Sequence, residues 1–192
     1  MTLAAPGGPH RDLGFPVEVR TQFQFLEALG FELRESGPTC VRYTRAEFVL
    51  EIYHGRQSYE LGLNLMRYGV SYSLETLLAV HERAGGATTF HPFAATDRDG
   101  VAAGVGHLAS MFKSCSDYFL ANDPAVFRGL DDYGEEVSAR LAIESLARQL
   151  RPKAEAAFKA KDYRLAAELY GQVRAQLTPA EIAKLNFAIS HS

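Results

Sequence analysis

The chain has only two cysteines, Cys40 and Cys115, and they stand far apart in the sequence. A small secreted scaffold carries more, at regular spacings. Reduced, buried thiols are therefore expected, with one long-range disulfide as the alternative. Positive charge is also scarce. Lys and Arg number 20 against 23 Asp and Glu, a formal charge of −3, and no basic run exceeds two residues. A nucleic-acid binder advertises a basic patch or stripe, so no nucleic-acid partner is expected. The acidity is too mild for a mimic of DNA. Long apolar runs are missing too. The most apolar helical stretch, around Val101–Leu120, is interrupted by Gly104, Gly106, His107, Lys113 and Asp117, which argues against a membrane span. The first residues lack a basic stretch and an apolar core of signal-peptide length. A cytoplasmic protein is expected.

What is present is ordinary globular composition, 47% hydrophobic and 22% charged, enough to build a packed core. Pro6, Gly7, Gly8, Pro9 and Gly14 mark residues 1–14 as a flexible tail. Apolar spacings of three and four predict a helix over Val17–Leu29, stopped by Gly30. The period then changes to two. Phe31 and Leu33 alternate with Glu32 and Arg34, followed by strands over Cys40–Thr44, Phe48–Tyr53 and Tyr59–Leu65. Short connections between them predict a four-stranded antiparallel meander with one packed and one wet face. Helices are expected over Leu74–Ala84, Asp97–Ala121, a brief one opened by Asp123-Pro124, and Asp132–Gln149. The fold class is α+β: an N-terminal helix, the meander, covering helices and a C-terminal α-hairpin. The divisions are 1–14, 15–130 and 131–192.

The last segment is similar to a tetratricopeptide repeat. Phe158, the turn Lys161-Asp162, Tyr163, Ala166 and Tyr170 fall where that repeat sets its aromatic and small residues. Lys161 replaces the inter-helix glycine, and only one copy is present. The same residues also suit an ordinary α-hairpin.

Catalytic motifs are hard to find. His81, His91, His107 and Cys115 contain no close pair such as HxxxH, so neither a metal nor any cofactor is expected. Gly100, Gly104 and Gly106 lack phosphate-loop spacing and suit close helix packing instead. Ser71, Ser110 and Ser114 sit in no GxSxG elbow. Cys115 lies inside a helix, and Asp131, Asp132, Glu135 and Glu136 suit a helix N-terminus. The reading leans away from an enzyme. The pointed feature is the wet sheet face, where Arg42, Glu51, Tyr53, Arg56, Ser58 and Glu60 are expected to gather. Such residues form either a solvated charge ladder or a protein-binding surface, since Tyr and Arg are enriched at interfaces.

Phe23, Phe25, Leu26, Gly30, Phe31, Val41, Arg42, Tyr43, Tyr53, Ser58, Tyr59, Glu60 and Leu61, with the later Asp123-Pro124-Ala125-Val126-Phe127, carry a resemblance. Over about residues 15–130 the chain resembles an uncharacterised bacterial family of immunity-protein-like type. The resemblance implies a protein that binds and neutralises a toxin domain. The expected partner is thus another protein, a second copy of the chain included. Two alternatives stand beside it: a scaffold acting through the C-terminal hairpin, and a small-ligand sensor or enzyme with a pocket between sheet and helices.

Overall fold

The structure is a computed structural model that describes residues 13–86 and 90–192. Most of the expected tail, and Thr88 and Thr89 of the expected loop, lie outside these. The chain divides into two compact units, the first ending at Asp131 and the second comprising Asp132–Ser192.

The first unit is α+β, with an antiparallel sheet of six strands among the described residues rather than four. In chain order come α1 (Phe15–Gln22), α2 (Phe25–Ala28), β1 (Glu32–Ser36), β2 (Cys40–Arg45), β3 (Phe48–His54) and β4 (Glu60–Arg67). Then follow β5 (Val70–Ser73), α3 (Leu74–Arg83), β6 (Phe93–Ala94) and α4 (Arg98–Leu120). The strand order is β1-β2-β3-β4-β5, and β6 pairs with β4 beside β5.

The two unforeseen strands have simple causes. Tyr68 (φ 49°) and Gly69 (φ 84°) make a two-residue turn with both central residues left-handed, the form that matches sheet twist. Tyr-Gly is not the usual Asn-Gly signal, so β5 went unrecognised. β6 has two residues, too few for any period to register. The helix expected over Val17–Leu29 is broken at Phe23–Gln24, where the Leu26 N–H bonds to the Phe23 carbonyl at 2.9 Å. That tighter turn keeps Phe23 and Leu26 both fully buried.

Alternation in β3 is complete: Phe48, Leu50, Ile52 and His54 are buried, and Val49, Glu51 and Tyr53 are half-buried. Cross-strand register extends this across the sheet. Val41, Ile52 and Leu63 share a row, as do Tyr43, Leu50, Leu65 and Tyr72. Val41, Leu50, Ile52 and Leu65 are all 0% exposed. Burying each such side chain stabilises the fold by about 1.5–3 kcal/mol. α1, α3 and α4 cover this face. α4 can approach because Gly104 has no Cβ: one placed there would lie 2.4 Å from Leu61 and 2.6 Å from Phe93. Asp97 and Ser73 cap α4 and α3, accepting from Gly100 N–H and Thr76 N–H.

β1 departs from the expected pattern. All five of its residues are exposed, Leu33 at 43%. The register shifts between Leu33 and Glu35, a bulge on an edge strand. Charged Glu32, Arg34 and Glu35 suit an edge that must not pair with other chains.

Asp123 opens α5, accepting from the Ala125 N–H. α5 runs from Pro124 to Lys159. This corrects the brief helix and the separate Asp132–Gln149 helix expected there: Gly129, Gly134 and Pro152 do not stop it. Within the first unit, Phe127 meets Phe48 and Tyr72, and the Tyr72 hydroxyl donates to Asp131 at 2.7 Å. Burial, then that carboxylate, pushes the Tyr72 hydroxyl up to about 12.

In the second unit the end of α5 packs with α6 (Tyr163–Gln172) and α7 (Pro179–Ser190). A 3₁₀ turn, Arg174–Gln176, follows α6. Thr178 and Glu181 form a reciprocal capping box. Tyr170 is fully buried and donates to Glu155, which Lys184 also holds. Lys161 has φ 63°, so the position the repeat pattern gives to glycine is left-handed here.

Candidate functional site: the open sheet face

Side chains of the opposite parity line the other face of the sheet. Its central row is Glu35, Arg42, Glu51, Asn64 and Ser73, each directly opposite the next. The Arg42 guanidinium donates to Glu35 Oε2 at 2.7 Å and, through two nitrogens, to Glu51 Oε2 at 2.7 Å. A flanking row carries Thr44, Val49, Met66 and Ser71, with the Arg34 Nε donating to Thr44 at 3.0 Å. The residues of this face are half-buried or exposed, apart from Gly62.

The other flanking row is Cys40, Tyr53 and Gly62. The Tyr53 ring lies flat over Gly62; a Cβ there would come within 2.2 Å of its Cζ and Oη. Glycine is thus the residue that lets Tyr53 lie down. Burial, then Glu60 and Glu51, raise the Tyr53 hydroxyl above its usual value.

Beside Tyr53 opens a cleft of ≈ 280 Å³, lined among others by Glu60, Gly62, Glu75, Phe90 and Pro92. Its origin lies in strand pairing. β6 pairs with β4 only at Glu60 and Leu61, and β5 only from Asn64 onward. Among the described residues, Gly62 and Leu63 have no register partner on that edge. The Glu60 carbonyl takes the Gly55 N–H toward β3, and the Tyr59 carbonyl takes the Ala95 N–H on the other side. Alternation along the strand then turns the N–H and C=O of Leu63 toward the gap.

The structure brings Arg42, Glu51, Tyr53 and Glu60 onto this face. It does not bring Ser58 there. Ser58 precedes β4, and its hydroxyl accepts from the Glu60 N–H at 3.3 Å, a turn contact. Arg56 is exposed in the same turn. Tyr59, expected within the strand, has φ 54° and lies just outside it. Sequence reasoning missed Ser73, Glu75, Phe90 and Pro92, which come from three further segments with no local motif. It also missed His54, buried on the covered face, with Nε2 2.9 Å from the Ala95 carbonyl oxygen.

Both cysteines are free thiols. Burial pushes Cys115 up to about 12, and its Sγ donates to the Phe112 carbonyl at 3.4 Å. Cys40 is half-exposed rather than buried, at the rim of the open face. Burial, then Glu51, raises it, so it stays protonated at neutral pH and is a poor nucleophile. Among the described residues no three His, Cys, Asp or Glu side chains lie together as metal ligands, and no helix is long and apolar enough to cross a membrane. His81 packs on Tyr118 and His107 on Phe93.

The arrangement combines paired charges, a flat tyrosine and a shallow cleft on a sheet whose other face is covered by helices. Comparison with protein-family models, curated proteins and solved structures finds no match.

Proposed function

We propose that this chain is a non-catalytic protein-binding module that docks its partner on the open sheet face. The observation that carries the reading is the contrast between two faces of one sheet. One is filled by helices. The other presents Arg42, Glu51, Tyr53 and Glu60 from three adjacent strands, with Arg42 pinned between two carboxylates. A preorganised side chain loses less entropy on binding than a free one. Tyr and Arg are the residue types that dominate interface energetics. Neutralisation of a toxin domain, the role implied by the resemblance of residues 15–130, fits this mode because occlusion needs no chemistry from the inhibitor.

The test is alanine at Arg42, Tyr53 and Glu60 together, with affinity measured against a partner captured by the intact chain. The reading expects a loss of at least about tenfold, roughly 1.4 kcal/mol, with an unchanged fold. An unchanged affinity assigns the contact to another surface.

A second reading, a scaffold working through the C-terminal helices, has its own observation. α7 exposes Ile182, Phe187 at 43% and Ile189 at 56%. Its two charged residues, Glu181 and Lys184, are engaged with Arg151 and Glu155. Replacing Ile182 and Ile189 by lysine should then change the assembly state in sedimentation, whereas the first reading expects no change.

A further inference from the structure

From the cleft at the β5/β6 gap we infer a more specific role: it receives the guanidinium of an arginine side chain on the bound partner. The inference rests on the sheet-face reading and names the chemistry of one subsite within it.

The lining supplies each element that a planar cation requires. Tyr53 lies flat on Gly62, leaving a ring at the cleft wall, and Phe90 and Pro92 add apolar walls. Glu60 and Glu75 bring two carboxylates from different elements, and among the described residues the lining contains no Lys or Arg. The electrostatic surroundings of the Tyr53 hydroxyl agree, since both charges acting on it are carboxylates.

Other cations fit less well. A divalent metal needs several converging hard ligands, and no group of three ligating side chains forms among the described residues. An ammonium has three donors but no plane. A guanidinium stacks on an aromatic face while its edge donates in parallel to carboxylates. The volume, ≈ 280 Å³, lies just below the range typical of drug-sized ligands, about 300–1,000 Å³. One long side chain is the appropriate occupant.

The experiment uses the full chain, labelled for amide and tyrosine NMR, titrated with N-acetyl-arginine amide. The neutral isostere N-acetyl-citrulline amide and N-acetyl-lysine amide are the controls. The arginine compound should shift Gly62, Leu63 and the Tyr53 ring with millimolar affinity, and the citrulline compound should not. E60Q and E75Q should each weaken the arginine effect about tenfold, the loss expected for one charge-assisted hydrogen bond. The wild-type titration, repeated in 1 M salt, should lose most of the effect, because a screening length of about 3 Å weakens the attraction between a guanidinium and exposed carboxylates. That arm holds if either variant fails to fold.

No shift at these residues, or equal shifts with arginine and citrulline, overturns the inference. So does a lysine response equal to the arginine one. The outcomes separate from those of the parent reading. Arginine binding without any dependence of partner affinity on Tyr53 and Glu60 leaves the cleft and removes the partner. Partner dependence without arginine binding does the reverse.

Discussion

Replacing Arg42 with alanine measures how wet the open face is. Arg42 holds Glu35 and Glu51 at 2.7 Å each, and the three side chains are 44%, 51% and 20% exposed. Ion pairs this accessible contribute about 0.2–1 kcal/mol each. The Glu51 contact belongs near the top of that range, because Glu51 is the least exposed and receives two donors. The Glu35 contact belongs near the bottom. The predicted loss is therefore about 0.5–1.5 kcal/mol. Leu65, on the opposite face and 0% exposed, sets the contrast: alanine there should cost about 2–5 kcal/mol. Urea unfolding followed through β2 and β3 amide resonances isolates the first unit from Asp132–Ser192. Salt supplies a second arm. At 1 M the screening length is about 3 Å, and most of the Arg42 effect should vanish while the Leu65 effect remains. A loss above about 3 kcal/mol for Arg42, insensitive to salt, is the signature of breaking a buried pair. It would mean that the face is covered and that the contact surface has been misplaced.

Three further predictions concern packing and charge elsewhere. Gly104→Ala should destabilise the first unit by about 1–3 kcal/mol in chemical denaturation, because its Cβ meets Leu61 and Phe93; a neutral result would mean that α4 is not seated on the sheet. Lys161→Gly should stabilise the second unit by about 0.5–1 kcal/mol by relieving a left-handed backbone, read as a raised urea midpoint; a lowered midpoint would refute that geometry. Glu181 is held down to about 2, first by Arg151 and then by the Thr178 cap despite an opposing cost of burial. A carboxylate whose folded value is depressed adds stability above its unfolded value near 4.5 and loses it as pH falls toward 2. Glu181→Gln should flatten the pH dependence of helix melting in that window, and an unchanged slope would show that Arg151 does not hold it.

Much of the architecture was legible in the residues. Alternation in Phe48–His54 is read from the sequence because Phe48, Leu50 and Ile52 face helices while Glu51 and Tyr53 face the open side, although Val49 and His54 break the polarity pattern. Ser73, Asp97 and Thr178 announce their helices through side chains that accept from the first turn. The failures are of two kinds. Some elements are too short to carry a period, β6 and the Tyr68–Gly69 turn, whereas β1 is a strand as its alternation implies and only the exposure of Leu33 departs from it. α5 errs in the other direction, since its glycines and proline suggested breaks that the helix absorbs. The site was half legible. Arg42, Glu51 and Tyr53 follow from strand parity alone. The cleft does not, because it lies where β6 stops pairing with β4 at Leu61 and β5 begins at Asn64, a property of tertiary register. Ser58 looked like a strand residue because a period of two continues through the turn, although the Tyr59 backbone has already left the strand.

The most direct test of the account is a photo-crosslinking side chain placed at Asn64, in the central row of the open face, with the same group at Asn186 on α7 as comparison. Irradiation should join a partner protein to the chain from position 64, and the adduct should disappear when Arg42, Tyr53 and Glu60 are replaced. An adduct formed only from position 186, or one from position 64 that survives those replacements, would contradict it.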